Sequence, residues 1–237
     1  MDSAPLLEFR DVQKHYRTGT EVVRAVDGLS LAVEAGEMVA LYGPSGSGKS
    51  TILRIGAGIE TPDSGAVYVE GEAVSGLSGK AAAHYRMHVL GWINQESDLL
   101  DGATALDNAA TKVVVTAGSW RRARRSVVPL LEELGLGHRL EHRAETLSMG
   151  ERQRVMIARA LSLNPRVLLA DEPTGSLDSR RSREVLALLQ EATHSRAMAT
   201  VLVTHDEHAV AYADTVYTLQ DGVLHDSGPD AAPAPWA

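Results

Sequence analysis

The chain of 237 residues contains no cysteine, which excludes disulfides and thiolate-held metals and permits a reducing compartment without requiring one. No apolar run comes near the roughly 18 residues that a helix needs to cross a bilayer. Asp2, Glu8 and Asp11 stand where a secretory leader would carry basic and then apolar residues, so no leader is expected. Positive charge is in deficit: 23 Lys and Arg against 31 Asp and Glu leave a formal charge of -8 at pH 7. The overall field of such a chain does not draw it onto nucleic acid, and no nucleic-acid partner is expected. Lysine is scarce, with four copies against nineteen arginines, and there is no internal repeat.

What is present is an ordinary globular balance, 44% hydrophobic and 23% charged. The length suits one large α/β domain with a subdomain inserted in it. Residues 6–12 roughly alternate apolar and polar, and a second strand pattern runs over 22–33 after the break at Gly19. Met38-Val39-Ala40-Leu41-Tyr42 is a short apolar run of the kind a buried parallel strand needs. A glycine-rich loop and a helix over 49–58 follow, then a hairpin-like piece at 66–70. From about 96 to 164 the text turns helical, with few strand signals. After Pro165 a buried strand is expected at 166–170, a helix at 179–193 and a last strand at 200–204. Alternation of strand and helix predicts a mainly parallel core. The expected division is one domain over 1–225, its core at about 1–95 and 165–225, with a helical insert at about 96–164 and a frayed Ala- and Pro-rich tail over 226–237.

Gly43-Pro44-Ser45-Gly46-Ser47-Gly48-Lys49-Ser50 fits G-x-x-x-x-G-K-[ST] between a strand and a helix. Successive N–H groups and the helix N-terminus form a positive nest for phosphate oxygens, and glycine lets the backbone come close. In that nest Lys49, one of the few lysines, reaches the β- and γ-phosphates of a nucleotide, and the Ser50 hydroxyl serves Mg²⁺. The plain alternative is a glycine turn that caps a helix. Farther on, the apolar strand Val167-Leu168-Leu169-Ala170 ends in Asp171-Glu172. At the C-terminal edge of a parallel sheet both carboxylates fall beside the phosphate loop. There Asp171 suits Mg²⁺, and Glu172 suits the water that attacks the γ-phosphate. Taken alone, the pair also reads as a solvated loop.

Five further motifs carry a family resemblance. They are Leu147-Ser148-Met149-Gly150-Glu151 with Arg152-Gln153-Arg154-Val155-Met156-Ile157-Ala158-Arg159-Ala160-Leu161 after it, Gln95 after Gly91-Trp92-Ile93-Asn94, Ser176-Leu177-Asp178, His205 after Val203-Thr204, and Tyr16 placed 27 residues before Gly43. Over about 6–225 the sequence resembles the ATP-binding domain of ABC transporters. The loop 43–51 and the stretch 170–179 are most similar to the lipoprotein-releasing, macrolide-export and antimicrobial-peptide-resistance branch, which includes a cell-division ATPase.

The resemblance implies a P-loop NTPase with a mainly parallel RecA-like core, an N-terminal antiparallel β subdomain and an inserted α-helical subdomain. It implies ATP and Mg²⁺ as ligands, a head-to-tail homodimer, and a peripheral place on the cytoplasmic face of the membrane through a permease. In it Gly43, Pro44, Ser45, Gly46, Ser47, Gly48, Lys49, Ser50 and Thr51 cradle ATP. Tyr16 stacks on adenine, and Ser50, Gln95 and Asp171 serve the metal. Glu172, His205, Lys49 and Gln95 carry out the chemistry. Ser148 and Gly150 meet the partner's nucleotide, and Asp178 meets the partner's phosphate loop.

Several of these residues also have plain structural readings. Ser148-x-x-Glu151 is a capping box, Asp178 suits a helix N-cap, and a lone histidine such as His205 is usually a surface or packed residue. Two positions depart from the family pattern: Met149 replaces a glycine and Glu151 a glutamine, which predicts looser or slower dimer closure. Two function classes stay open, namely solute transport and signalling through a permease-like partner to a cell-envelope process. A soluble ABC ATPase acting on DNA or ribosomes is disfavoured by the acidic charge. Arg121-Arg122-Ala123-Arg124-Arg125 reads first as a solvated helix face, with phospholipid headgroups or an acidic permease loop as alternatives. His84 and His88 have ligand spacing but no evident third ligand.

Overall fold

The computed structural model describes residues 4–19 and 21–226. In chain order it contains β1 (Leu7–Thr18), β2 (Glu21–Val33), β3 (Met38–Tyr42), α1 (Lys49–Gly56), β4 (Ser64–Val69), β5 (Glu72–Ala73) and α2 (Gly79–His84). There follow β6 (Leu90–Ile93), α3 (Ala105–Ala117), α4 (Trp120–Glu133) and α5 (Met149–Leu161). The rest is β7 (Val167–Asp171), α6 (Ser179–Arg196), β8 (Ala199–Thr204), α7 (Glu207–Val210), β9 (Thr215–Gln220) and β10 (Val223–Asp226).

One sheet is antiparallel, in the order β2-β1-β4-β5. The other has the order β10-β9-β3-β8-β7-β6, parallel except for the β10–β9 pair. The mainly parallel core and the antiparallel N-terminal sheet are therefore both present.

Residues of β3 and β8 are buried from end to end. A strand covered on both faces reads as a continuous apolar run, while its side chains still alternate between faces. Met38, Leu168, Ala170 and Leu202 join the apolar cluster built with α3, α4, α5 and α6. Val39, Leu41, Leu169, Val201 and Val203 face the opposite cluster, with Ile52 and Leu53 of α1 and Phe9 and Val26 of the antiparallel sheet. The parallel sheet is thus the wall between two cores, and the C-terminal edges of its strands open on one side.

The structure differs from the sequence reading in several boundaries. The first helix ends at Gly56, not 58, and α6 runs on to Arg196. β1 extends to Thr18, and β9 and β10 add two strands beyond Thr204 that the sequence pattern did not signal. Asp226 closes β10, and the rest of the expected tail, 227–237, lies outside the described residues. Within the stretch 96–164, α3 and α4 pack on each other, whereas α5 also packs on β6 and α6. The apolar packing therefore runs unbroken from the helical insert into the core. Among the described residues, no helix is long and apolar enough to cross a membrane.

Candidate active site

The loop between β3 and α1 turns where a side chain would not fit. A Cβ on Gly43 would lie 2.3 Å from the Leu219 carbonyl oxygen, and one on Gly48 would lie 1.9 Å from that of Ala25. Gly48 also has a φ of 103°, a left-handed conformation that glycine adopts without strain. The loop is held to its surroundings by backbone bonds: Gly43 N–H donates to Thr204 O (3.3 Å) and Gly222 N–H to Ser47 O (3.2 Å). Among the described residues no side chain caps α1, and its first turn carries no acid. The positive helix end therefore faces a cavity of about 330 Å³, lined by Ser45, Gly46, Gly48, Lys49, Ser50 and Thr51 from this segment. Among the described residues the buried Ser47 hydroxyl oxygen has no hydrogen-bond partner.

The Lys49 ammonium donates to the carbonyls of Gly43 (2.6 Å) and Pro44 (2.7 Å). Burial lowers its pKa, and the nearby Glu172 and Asp171 carboxylates oppose that shift. Asp171 and Glu172 both line the cavity, although successive strand residues normally face opposite ways. The chain achieves this by a left-handed turn at Glu172, whose φ is 45°. For a residue with a Cβ that conformation costs on the order of 1–2 kcal/mol. Burial raises the pKa of Asp171, with Glu172 adding to the shift and the Ser50 hydroxyl and Lys49 opposing it. Glu172 is buried, and its Oε2 lies 2.8 Å from His205 Nδ1 and accepts the His205 backbone N–H at 3.3 Å. The His205 ring stays exposed, and the exposed Gln95 closes the same cavity from the end of β6.

These donors suit a nucleotide and a hard cation. Ser50 hydroxyl, Asp171 carboxylate and Gln95 amide offer oxygen, the donor that Mg²⁺ prefers. Among the described residues, no group of three His, Cys, Asp or Glu could hold a metal without help. A cation here needs water and phosphate oxygens to complete its shell, which is how Mg²⁺ is ordinarily held beside nucleotides. The paired His84 and His88 rings, 4.6 Å apart, lie within no such group.

The remaining predicted residues stand elsewhere. The Tyr16 hydroxyl donates to Glu60 and lies near Thr51 of α1, and Tyr16 does not line the cavity. Asp178 caps α6 through the Arg181 N–H (3.0 Å) and pairs with the Arg181 guanidinium at 3.2 Å. Ser148 and Gly150 border a separate cleft of about 160 Å³ with Arg181 and Glu151. The capping box is formed: Ser148 N–H donates to Glu151 Oε2 (2.8 Å) and Glu151 N–H to Ser148 Oγ (3.3 Å). Arg139 holds the same carboxylate at 2.7 Å. Burial pushes the Glu151 pKa up, but Ser148 and Arg139 together outweigh it and leave the pKa below the usual value. Met149 is 44% exposed at the first position of α5.

Sequence reasoning missed three contributors. Ala25 lines the cavity from β2, but a strand alanine carries no local signal of that. The Thr204 hydroxyl accepts the Asp206 N–H (2.9 Å) and sits 3.5 Å from Glu172 Oε2, fixing the turn that carries His205. Arg181 lies across Gly150, its Cδ 3.2 Å from where a Cβ would be. Only the i,i+3 spacing from Asp178 could have drawn attention to it.

Comparison with known proteins gives consistent results. A family model for ABC transporters matches residues 26–175. The chain is 42% identical over 224 residues to the lipoprotein-releasing system ATP-binding protein LolD of Pseudomonas fluorescens, covering 94% of this chain and 99% of that one. It is 40% identical over 231 residues to the macrolide export ATP-binding/permease protein MacB of Hyphomonas neptunium, covering 97% of this chain and 36% of that protein. Its fold matches the dimeric structure of the bacterial ABC transporter cassette MJ0796 with a TM-score of 0.84 at 32% identity, over 92% of this chain and 96% of that one. A post-hydrolysis dimer of that cassette bound to ADP and Pi matches with a TM-score of 0.83 at 31% identity, over 93% and 98% of the two chains.

Proposed function

This chain belongs to the ABC transporter ATP-binding family, and we propose that it pairs head to tail with a second copy around two Mg-ATP molecules and drives a membrane permease from the cytoplasmic face. The observation that carries this reading is the convergence of Lys49, Ser50, Gln95, Asp171, Glu172 and His205 on one cavity at the open edge of the parallel sheet. Likeness to LolD over nearly its whole length supports a transporter ATP-binding subunit, and the ADP- and Pi-bound dimer supports both hydrolysis and pairing.

In this reading the loop N–H groups and the α1 terminus bind the phosphate chain, and Lys49 turns its ammonium from the Gly43 and Pro44 carbonyls to the β- and γ-phosphates. Tyr16, held beside Thr51, offers its face to adenine. Ser50, Asp171 and Gln95 would hold Mg²⁺, which when bound would neutralise phosphate charge. Glu172 accepts a hydrogen bond from the attacking water. His205, hydrogen-bonded to that carboxylate, steadies it and donates toward the γ-phosphate as charge develops. Ser148 and Gly150 of one copy meet the nucleotide of the other, and Asp178 meets its phosphate loop. Closure on ATP and opening after hydrolysis supply the mechanical output.

Glu172→Gln tests the assignment. Turnover should fall by at least about a hundredfold while ATP binding persists, and an ATP-trapped dimer should accumulate on size-exclusion chromatography. Normal turnover in this variant removes Glu172 from the reaction.

A further inference from the structure

Arginines elsewhere on this surface are commonly paired: Arg139 with Glu151, Arg159 with Asp98, Arg166 with Glu70 and Arg196 with Glu133. Three in the first two turns of α4 are not. Arg121, Arg122 and Arg125 are exposed, and among the described residues none has an ion pair or a side-chain hydrogen bond. Their neighbour Arg124 points away, bonded to Asp107 (2.8 Å) and Glu141 (2.7 Å). The placement is electrostatically unfavourable: it crowds cations at the helix end whose dipole is already positive, with no acid in the first turn. Departures from local preference that gain nothing within the fold mark functional positions. The three guanidinium groups, with Ser119 and Ser126, surround a cleft of about 530 Å³.

The same turn leaves large apolar side chains in water. Val115, near the end of α3, is 67% exposed, and Trp120, the first residue of α4, is 49% exposed. Gly118 and Ser119 alone connect the two helices, so the indole and the isopropyl group sit on one tip with the arginines. Guanidinium groups fit phosphodiester oxygens two at a time, and an indole settles at headgroup depth. An acidic peptide would match the charge and give no reason for the bare indole and isopropyl beside it.

We propose that the α3–α4 tip, through Arg121, Arg122, Arg125 and Trp120, is a contact site for the phosphodiester headgroups of an anionic membrane leaflet. This is a lipid contact additional to any permease. It acts against the -8 formal charge of the whole chain, so the attraction is local and short-ranged.

The test uses the full chain at low ionic strength with vesicles of mixed phosphatidylglycerol and phosphatidylcholine, and with phosphatidylcholine alone. The wild type should co-sediment with the anionic vesicles only, lose that binding by 0.5 M salt, and shift its tryptophan emission to the blue. Arg121→Ser, Arg122→Ser and Arg125→Ser combined should weaken binding by about a hundredfold, since each basic group near an anionic surface contributes roughly fivefold. Trp120→Phe should abolish the emission shift. None of these positions belongs to the catalytic cavity, so ATP turnover in solution should be unchanged and certifies the fold. Equal binding to neutral vesicles overturns the proposal. So does wild-type binding by the triple variant, or capture of poly-glutamate with no vesicle binding.

Discussion

Helices α1 and α5 both begin in a cleft, and in the proposed dimer both point their N-termini at phosphate, yet they are finished in opposite ways. At α1 the N-cap is Gly48 in a left-handed conformation, among the described residues no side chain caps the helix, and its first turn carries no acidic residue. At α5 the N-cap is Ser148, the capping box with Glu151 is closed, and Arg139 fixes the carboxylate in place. The first end keeps its donors for an external anion. The second satisfies its own and adds a negative charge where the partner's phosphate must approach. In the proposed dimer this difference favours an order of events: a nucleotide held first by the open α1 end of its own chain, then the α5 end of the partner, where Glu151 has to give way.

The strongest way to break the comparison is to disable the open end. Lys49→Ala removes the ammonium at the α1 terminus and should lower turnover by at least about a hundredfold, with weakened nucleotide binding measured by titration. Gly48→Ala should act through the backbone. Its Cβ would overlap the Ala25 carbonyl at 1.9 Å in a conformation that alanine rarely adopts. A loss of about 3 kcal/mol or more in chemical denaturation, together with lost ATP binding, is expected. A variant that folds and binds normally would mean that the loop can relax and that glycine is not required there.

The two ends were not equally legible in the sequence. The α1 end is written as glycines, a lysine and a hydroxyl at fixed spacing after a buried strand, and the parallel core around it is written as the apolar runs of β3, β7 and β8. The α5 end reads either as a capping box or as a ligand contact, because Ser-x-x-Glu satisfies a helix end without any ligand. The structure of one chain forms the box, and Arg139, from a turn before α5 and outside the Ser-x-x-Glu pattern, strengthens it. β6 has only four residues including a glycine, and β9 is half-buried along most of its length, so neither gave a clean strand signal. Ala25 and Leu219 shape the phosphate loop only through backbone carbonyls, which no residue type announces.

Opening the closed end should be a smaller event. Ser148→Ala removes the side-chain acceptor of the cap and should cost about 1 kcal/mol, read as a fall of about 2–4 °C in Tm. The Glu151 carboxylate adds a pH signature of known sign. Its pKa in the folded chain lies below the usual value, so its contribution is full above the ordinary carboxylate range and is lost as pH falls through it. Glu151→Gln should flatten the stability profile in that acidic window. An unchanged profile would assign the acid sensitivity to other carboxylates.

Met149→Gly is the gentlest change and separates the two roles of the α5 end. Met149 packs against little, being 44% exposed, so its loss should cost under about 1 kcal/mol, from the backbone freedom that glycine adds in a first helical turn. The Ser148–Glu151 box, which needs neither side chain nor N–H of Met149, should remain. If the methionine crowds the partner's nucleotide, ATP-driven dimerisation and turnover should both rise, by less than about tenfold, while Tm falls slightly. That opposition of sign is the informative outcome: a helix end optimised only for its own chain would lose stability on substitution and gain nothing. Dimerisation and turnover unchanged from the wild type would show that Met149 does not limit closure, and would leave Glu151 and its Arg139 clasp as the element that holds the α5 end shut.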